Sequence, residues 1–207
     1  MHNISINCHS SICINGNVYI DPFNIKDGIH NADVVFVTHD HFDHYDYESI
    51  INIINEDSVI VTIPSVKEDL VKKGIKNSIV SVVPGDKGYV NGVEYVTLPS
   101  YNVGHHHFRE LNYVAYLLTI DNVRYLICGD SDNTAELNNV RCDVLLVPIG
   151  GTYTMNAKEA AALTNNIKPS LVIPTHYNFI DGTGDKNNEK EFINYLDDNI
   201  EYKILIK

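Results

Sequence analysis

The chain has 207 residues, an ordinary 44% apolar content, and a net charge of -12 with histidine counted as neutral. That length is enough for one sizeable core, so a single domain over 1–207 is expected. The acidic balance argues against a long nucleic-acid partner, which needs clustered lysine and arginine. A small anionic substrate stays open, because bound metal ions invert the local field. Residues 1–7 show no basic n-region and no apolar h-region, and no apolar run approaches membrane-spanning length. Cys8, Cys13, Cys128 and Cys142 lack Cys-x-x-Cys pairing. A cytoplasmic protein with reduced core thiols and no membrane partner is expected.

Ile12-Cys13-Ile14 and Val18-Tyr19-Ile20 flank Asn15-Gly16-Asn17, a strong hairpin signal. Pro22 ends the second strand and leaves Asp21 at its tip. Val34-Val35-Phe36-Val37 reads as a buried strand. Helical spacing follows over 47–54, a strand over 59–63, and a helix over 64–73 that starts at Pro64 and stops before Gly74. Another strand covers 79–83. This alternation argues for α/β layering. A strand over 93–98 leads to the loop Val103-Gly104-His105-His106-His107-Phe108, and strands over 113–120 and 123–128 form a second hairpin. A buried strand over 143–148 meets Gly150-Gly151, which either turns tightly or brings amides toward an anionic substrate. Asn156 and Glu159 fit a capping box for a helix over 157–165. The strand 171–175 ends at His176. Residues 182–185 read as an exposed loop, 189–198 as a helix and 201–206 as a final strand.

The chemistry concentrates after the strand Val34-Val35-Phe36-Val37. His39-Asp40-His41-Phe42-Asp43-His44 places three histidines and two aspartates in six positions. Imidazole nitrogens and carboxylate oxygens are ligands for zinc and neighbouring first-row metals. His39 and His41 are two apart, so in an extended segment both rings project to one side. Asp43 and His44 follow a turn and can address a second ion. Without ions, groups crowded this way would repel one another's protons.

His39-x-His41-x-Asp43-His44 resembles the signature of the metallo-β-lactamase-fold hydrolases. The flanking Ala32-Asp33 and Thr38 to Tyr45 look like the branch that includes L-ascorbate-6-phosphate lactonase. The resemblance implies an α/β (α+β) protein, a four-layer αββα sandwich with its metal ligands on loops at one edge. It makes Asp21 a support behind the metal-binding histidines. It implies one ion held by His39, His41 and His107, a second held by Asp43, His44 and His176, and Asp130 of Gly129-Asp130-Ser131 bridging both. Counting back from Asn112-Tyr113-Val114 selects His107, whereas counting forward from Ser100-Tyr101-Asn102 selects Phe108. His105 and His106 are left to supporting, substrate-facing or solvated roles.

The implied cofactors are two divalent metal ions, zinc first, with manganese, iron or cobalt also suited to these ligands. The implied reaction is attack by a metal-bound hydroxide on a small ester, lactone or phosphoester, with Asp43 or Asp130 relaying a proton. A phosphodiesterase or nuclease of the same fold, acting on small cyclic or dinucleotide substrates, is the second enzyme reading. A metal-stabilised interaction protein is the non-catalytic one. The redox branch of the fold carries Glu at the second histidine of the motif, where this chain has His41. Relatives of the lactonase type associate, which leaves a homo-oligomer open, and the sequence does not give the oligomeric state. Tyr101, Asn102, Tyr153 and Tyr177 flank the ligand motifs and are candidates to meet the small-molecule substrate.

Overall fold

The computed structural model describes residues 3–104 and 106–206. Its first six strands lie side by side in chain order: β1 (Ile4–Ile6), β2 (Ile12–Ile14), β3 (Val18–Ile20), β4 (Ala32–Val37), β5 (Ile54–Thr62) and β6 (Ser78–Ser81). β2 and β3 form the expected hairpin. Asn15 and Gly16 sit at φ 56° and 81°, the left-handed pair that a tight hairpin turn requires. From β3 to β6 the pairing is parallel. Parallel neighbours need crossovers. Helices α1 (Tyr47–Ile53) and α2 (Pro64–Lys72) supply them between β4, β5 and β6. β5 begins at Ile54, earlier than the apolar run at Val59 indicates. Its first turn of chain carries exposed Glu56 and Asp57, so the hydrophobic pattern hides it.

The second sheet has the order β13-β12-β11-β10-β9-β8-β7. It contains β7 (Lys87–Val90), β8 (Val93–Pro99), β9 (Val114–Ile120), β10 (Val123–Ile127), β11 (Val144–Pro148), β12 (Leu171–Thr175) and β13 (Glu201–Tyr202). Helices α3 (Ala135–Asn138), α4 (Ala157–Ile167) and α5 (Lys186–Tyr195) follow β10, β11 and β12. The capping box at α4 is formed: Glu159 N–H donates to Asn156 Oδ1 at 3.0 Å, and Asn156 N–H donates to Glu159 Oε2 at 2.9 Å.

Side chains alternate across a strand, and this sheet shows what that alternation builds. Val114, Tyr116, Leu118 and Ile120 of β9, with Val144 and Leu146 of β11, join the core shared with β2–β5 of the first sheet. Ala115, Leu117, Leu145 and Val147 face the other way, onto Ala160, Ala161 and Leu163 of α4 and Phe192 of α5. Ile50 and Ile53 of α1 and Val66 and Leu70 of α2 pack into the first cluster. The result is the expected mixed α/β architecture of two sheets with helices. Tyr116 ties the sheets together, its hydroxyl lying 3.1 Å from Val37 O and 3.2 Å from Val61 O.

The differences from expectation fall at short or polar elements. β1, β7 and α3 carry too few apolar residues to stand out. α5 starts at Lys186 rather than at residue 189, capped by Asp185. β13 is two residues long rather than running to 206. All four cysteines are free, with Cys8, Cys128 and Cys142 buried and Cys13 partly so. No helix among the described residues is long and apolar enough to cross a membrane.

Candidate metal centre

Three parallel strands and one antiparallel strand deliver the polar side chains to one edge of the sandwich. β4 ends at Val37 and releases His39, His41, Asp43 and His44. β10 ends at Ile127 and releases Asp130. β12 ends at Thr175 and releases His176. The loop after β8 brings in His107. In layered α/β folds, ligands bind beyond the carboxyl ends of strands, where side chains leave the core without losing its rigidity.

The first group is His39, His41, His107 and Asp130. One ligand atom from each lies within 4.8 Å of the others. His107 Nε2 is 3.3 Å from His41 Nδ1. The opposite nitrogen, Nδ1, lies 3.1 Å from Asp130 O and donates to it, which leaves the Nε2 lone pair pointing inward. His39 is set in the same way. The Thr38 hydroxyl donates to Asp21 Oδ2 at 2.7 Å, so it accepts from His39 Nδ1–H at 2.9 Å and frees Nε2. Asn102 grips the His107 backbone from both sides: its N–H donates to His107 O at 2.8 Å and its Oδ1 accepts from His107 N–H at 3.1 Å. This grip makes His107, and not exposed Phe108, the inward-facing residue.

The second group is His9, Asp43, His44 and His176, all buried. His44 Nδ1–H donates to Asp21 Oδ2 at 2.8 Å, and its Nε2 lies 3.0 Å from Asp130 Oδ1. His176 Nε2 lies 3.1 Å from Asp130 Oδ2 and 3.5 Å from Asp43 Oδ2. Asp130 therefore addresses both groups, since its Oδ2 is also 3.7 Å from His39 Nε2. His9 Nε2 lies 3.1 Å from Asp43 Oδ2. His9, Asp21 and His176 all have left-handed backbones, with φ of 51°, 48° and 57°. Such conformations are uncommon for residues with a Cβ and collect at functional sites.

Donor chemistry and geometry both fit a divalent metal. The Nε2 atoms of His39, His44 and His176 and Oδ1 of Asp130 are buried and lack a hydrogen-bond partner among the described residues. Buried polar atoms left this way are costly unless something else satisfies them. The neighbouring carboxylates lie close, but not in hydrogen-bonding geometry. Burial lowers the pKa of His39 and of His107. For His44 and His176 burial acts in the same direction, but Asp130 outweighs it and both are raised, His44 with help from Asp21. Burial would raise Asp43 and Asp130; the surrounding histidines prevail and hold both below the usual carboxylate range.

All seven sequence-predicted site residues converge, and the structure adds His9. A lone histidine in a turn after a three-residue strand carries no spacing signal, so sequence reasoning missed it. Of the four candidates for substrate contact, only Tyr153 lines the cavity over the two groups. Tyr101 and Tyr177 direct their hydroxyls to Glu136 and Glu189, and Asn102 holds the histidine loop. His106 is exposed, its ring centroid 4.7 Å from that of Tyr153; His105 lies outside the described residues. The segment 182–185 is not wholly exposed: Thr183 is buried and lines the cavity. Gly150 serves close packing. A Cβ there would lie 2.5 Å from His176 O and 2.7 Å from Thr183 O.

The cavity has a volume of about 520 Å³, with Phe42, Tyr153 and Ile180 on its walls and Asp40 and Asp181 beside them. Among the described residues, no lysine or arginine lines it. Its size is that of a small-molecule site.

The beta-lactamase superfamily domain matches residues 4–176 of this chain. A UPF0173 metal-dependent hydrolase of Caldivirga maquilingensis is 30% identical over 155 residues, covering 71% of this chain and 65% of the relative. Another of that description, from Thermococcus kodakarensis, is 29% identical over 185 residues and covers 82% of each chain. Among solved structures, Igni18, a metallo hydrolase of the archaeon Ignicoccus hospitalis, aligns with a TM-score of 0.78 at 20% identity, covering 99% of this chain and 95% of that one. That likeness is one of fold.

Proposed function

The chain belongs to the beta-lactamase superfamily, and from that premise we propose that it is a binuclear metal-dependent hydrolase of a small ester, lactone or phosphoester. The observation that carries this reading is the position of Asp130, with one carboxylate facing His39 on one side and His44 and His176 on the other. His39, His41 and His107 would hold one ion, Asp43, His44 and His176 the other, and Asp130 both. Such ions supply a nucleophilic hydroxide at neutral pH and polarise the bond to be cleaved. Zinc suits the nitrogen-rich ligands; manganese and iron suit them as well.

The chain's own residues do the rest. Asp21 and Thr38 set the tautomers of His44 and His39, so that lone pairs and not protons face inward. Asp43 and Asp130 both border the cavity and are the carboxylates placed to take and pass on a proton. Phe42, Tyr153 and Ile180 give the substrate an apolar flank. The lining has no lysine or arginine among the described residues, which favours an ester or lactone over a phosphodiester, whose charge would have to be met at the metal centre. A lactonase-like activity is the specific form favoured here.

The test is hydrolysis of a panel of lactones, carboxylic esters and phosphodiesters by metal-loaded and chelator-stripped protein, alongside Asp130→Asn. Turnover of a lactone or ester that follows metal content and vanishes in the folded variant is the expected result. Turnover unaffected by stripping contradicts the reading. Two bound ions without turnover of any panel member would favour the binding-protein alternative.

A further inference from the structure

We propose that His9 is a positioning residue of the metal centre, which fixes the Asp43 carboxylate through a hydrogen bond and clamps the His176 loop. The inference rests on the metal-centre reading above and extends it to the N-terminal turn.

His9 reaches the site from the turn between β1 and β2, which is closed by Ser11 N–H donating to Cys8 O at 2.8 Å and Asn7 N–H donating to Ser11 O at 2.9 Å. The side chain is fully buried. Nε2 is 3.1 Å from Asp43 Oδ2, a hydrogen-bond distance, and its other nitrogen has no hydrogen-bond partner among the described residues. A neutral imidazole carries one N–H. Placing it on Nε2 satisfies the carboxylate and leaves only a lone pair unmatched on Nδ1. The reverse tautomer would strand a buried donor and set a lone pair against a carboxylate.

Oδ2 is the Asp43 oxygen nearest His44 and His176, at 3.7 and 3.5 Å. The bond from His9 therefore pins the atom that faces the other two ligands. His9 also holds His176. Its carbonyl accepts from His176 N–H at 3.2 Å, and the two ring centroids are 3.9 Å apart. One residue thus fixes two ligands contributed by β4 and β12, which belong to different sheets. The donation to Asp43 argues for orientation rather than ligation. Asp43, His44, His176 and Asp130 already provide four protein groups, and a catalytic metal needs a position open to substrate.

The test is cobalt(II) titration of the full chain and of His9→Ala and His9→Gln, followed by absorption spectroscopy, with thermal unfolding of the metal-free forms as a check of folding. Wild type is expected to take up two equivalents. In His9→Ala the equivalent held by Asp43, His44 and His176 loses about 10–100-fold in affinity, the usual effect of removing a partner that orients a ligand. The other equivalent stays unchanged. In His9→Gln the amide N–H can replace the lost donor, so affinity and spectrum recover most of the way. If both variants bind two equivalents with wild-type affinity and spectrum, His9 only packs, and this inference alone falls. If His9→Gln is as weak as His9→Ala and both spectra report a lost ligand, His9 binds the ion directly and the positioning role is overturned. If wild type takes up no cobalt, the metal-centre reading itself fails.

Discussion

Asp21 Oδ2 accepts hydrogen bonds from both His44 Nδ1–H and the Thr38 hydroxyl, at 2.8 and 2.7 Å, while Asp21 Oδ1 accepts from Thr38 N–H at 2.8 Å. One buried carboxylate thereby sets a ligand on each side of the centre, His44 directly and His39 through Thr38. Asp21→Ala should weaken metal binding about 10–100-fold. It should also destabilise the metal-free protein by about 1–3 kcal/mol, because Thr38 N–H is left buried and unpaired. Calorimetric metal titration and urea unfolding check the two effects. Unchanged metal affinity in a folded variant would remove Asp21 from the centre.

Gly150 is predicted to be intolerant of any side chain. A Cβ would overlap the His176 and Thr183 carbonyls, both backbone atoms that cannot rotate away. Gly150→Ala should cost about 1–3 kcal/mol, as overpacking does, and should displace His176. Loss of one metal equivalent together with a lowered melting temperature is the expected outcome. Gly16→Ala is a useful comparison: its Cβ meets nothing within 4 Å, so it carries only the cost of a left-handed residue and should leave metal binding intact.

The pH dependence of stability should differ between metal-free and loaded protein. Burial lowers His9 to a pKa of about 4, and lowers His39 and His107. The unfolded chain then binds more protons than the native one below about pH 6.5, so stability rises with pH up to that value. His44 and His176 are raised against the effect of burial, chiefly by Asp130. Their contribution is fully present below about pH 6.5 and is lost as pH climbs through their folded values. Asp43 and Asp130 are lowered, so their contribution is present above about pH 4 and is lost as pH falls. Metal-free protein should therefore be most stable near pH 6.5. Bound ions replace the protons on His44 and His176, so loaded protein should hold its stability into the alkaline range and release metal on acidification. Melting curves from pH 4 to 9 on both forms check this, and identical profiles would contradict it.

Tyr116→Phe separates fold from site. Its hydroxyl lies between the carbonyls of Val37 and Val61, and these two are main-chain atoms of β4 and β5 rather than metal-site side chains. The loss should be about 0.5–1.5 kcal/mol, with metal stoichiometry unchanged. A changed stoichiometry would show that the joint between the sheets positions the site.

Sequence alone revealed the parts of the centre that are local. His39, His41, Asp43 and His44 share one loop, so their spacing speaks directly. Asp130 and His176 each follow an apolar strand, but a polar residue at a strand end is as often a turn residue, and only the family resemblance singles these two out. His107 was half legible: two ways of counting disagreed by one residue, and the tie is broken by Asn102, whose bonds to the His107 backbone no pattern shows. His9 was not legible at all, because it sits in the turn between β1 and β2 and its partner Asp43 follows β4, 34 positions on, so that the two meet only when the first sheet is assembled. The fold follows the same division. Long apolar runs such as those of β4 and β11 stood out. The beginning of β5, with exposed Glu56 and Asp57, did not stand out because backbone pairing with β4, not burial, makes it a strand.

The most direct test of the central claim is metal content per chain, measured by elemental analysis on protein purified without tag or chelator. Close to two equivalents are expected, falling to about one in Asp43→Ala, which leaves the His39, His41 and His107 group whole. No bound metal, even after zinc, manganese and iron are supplied, would contradict that claim.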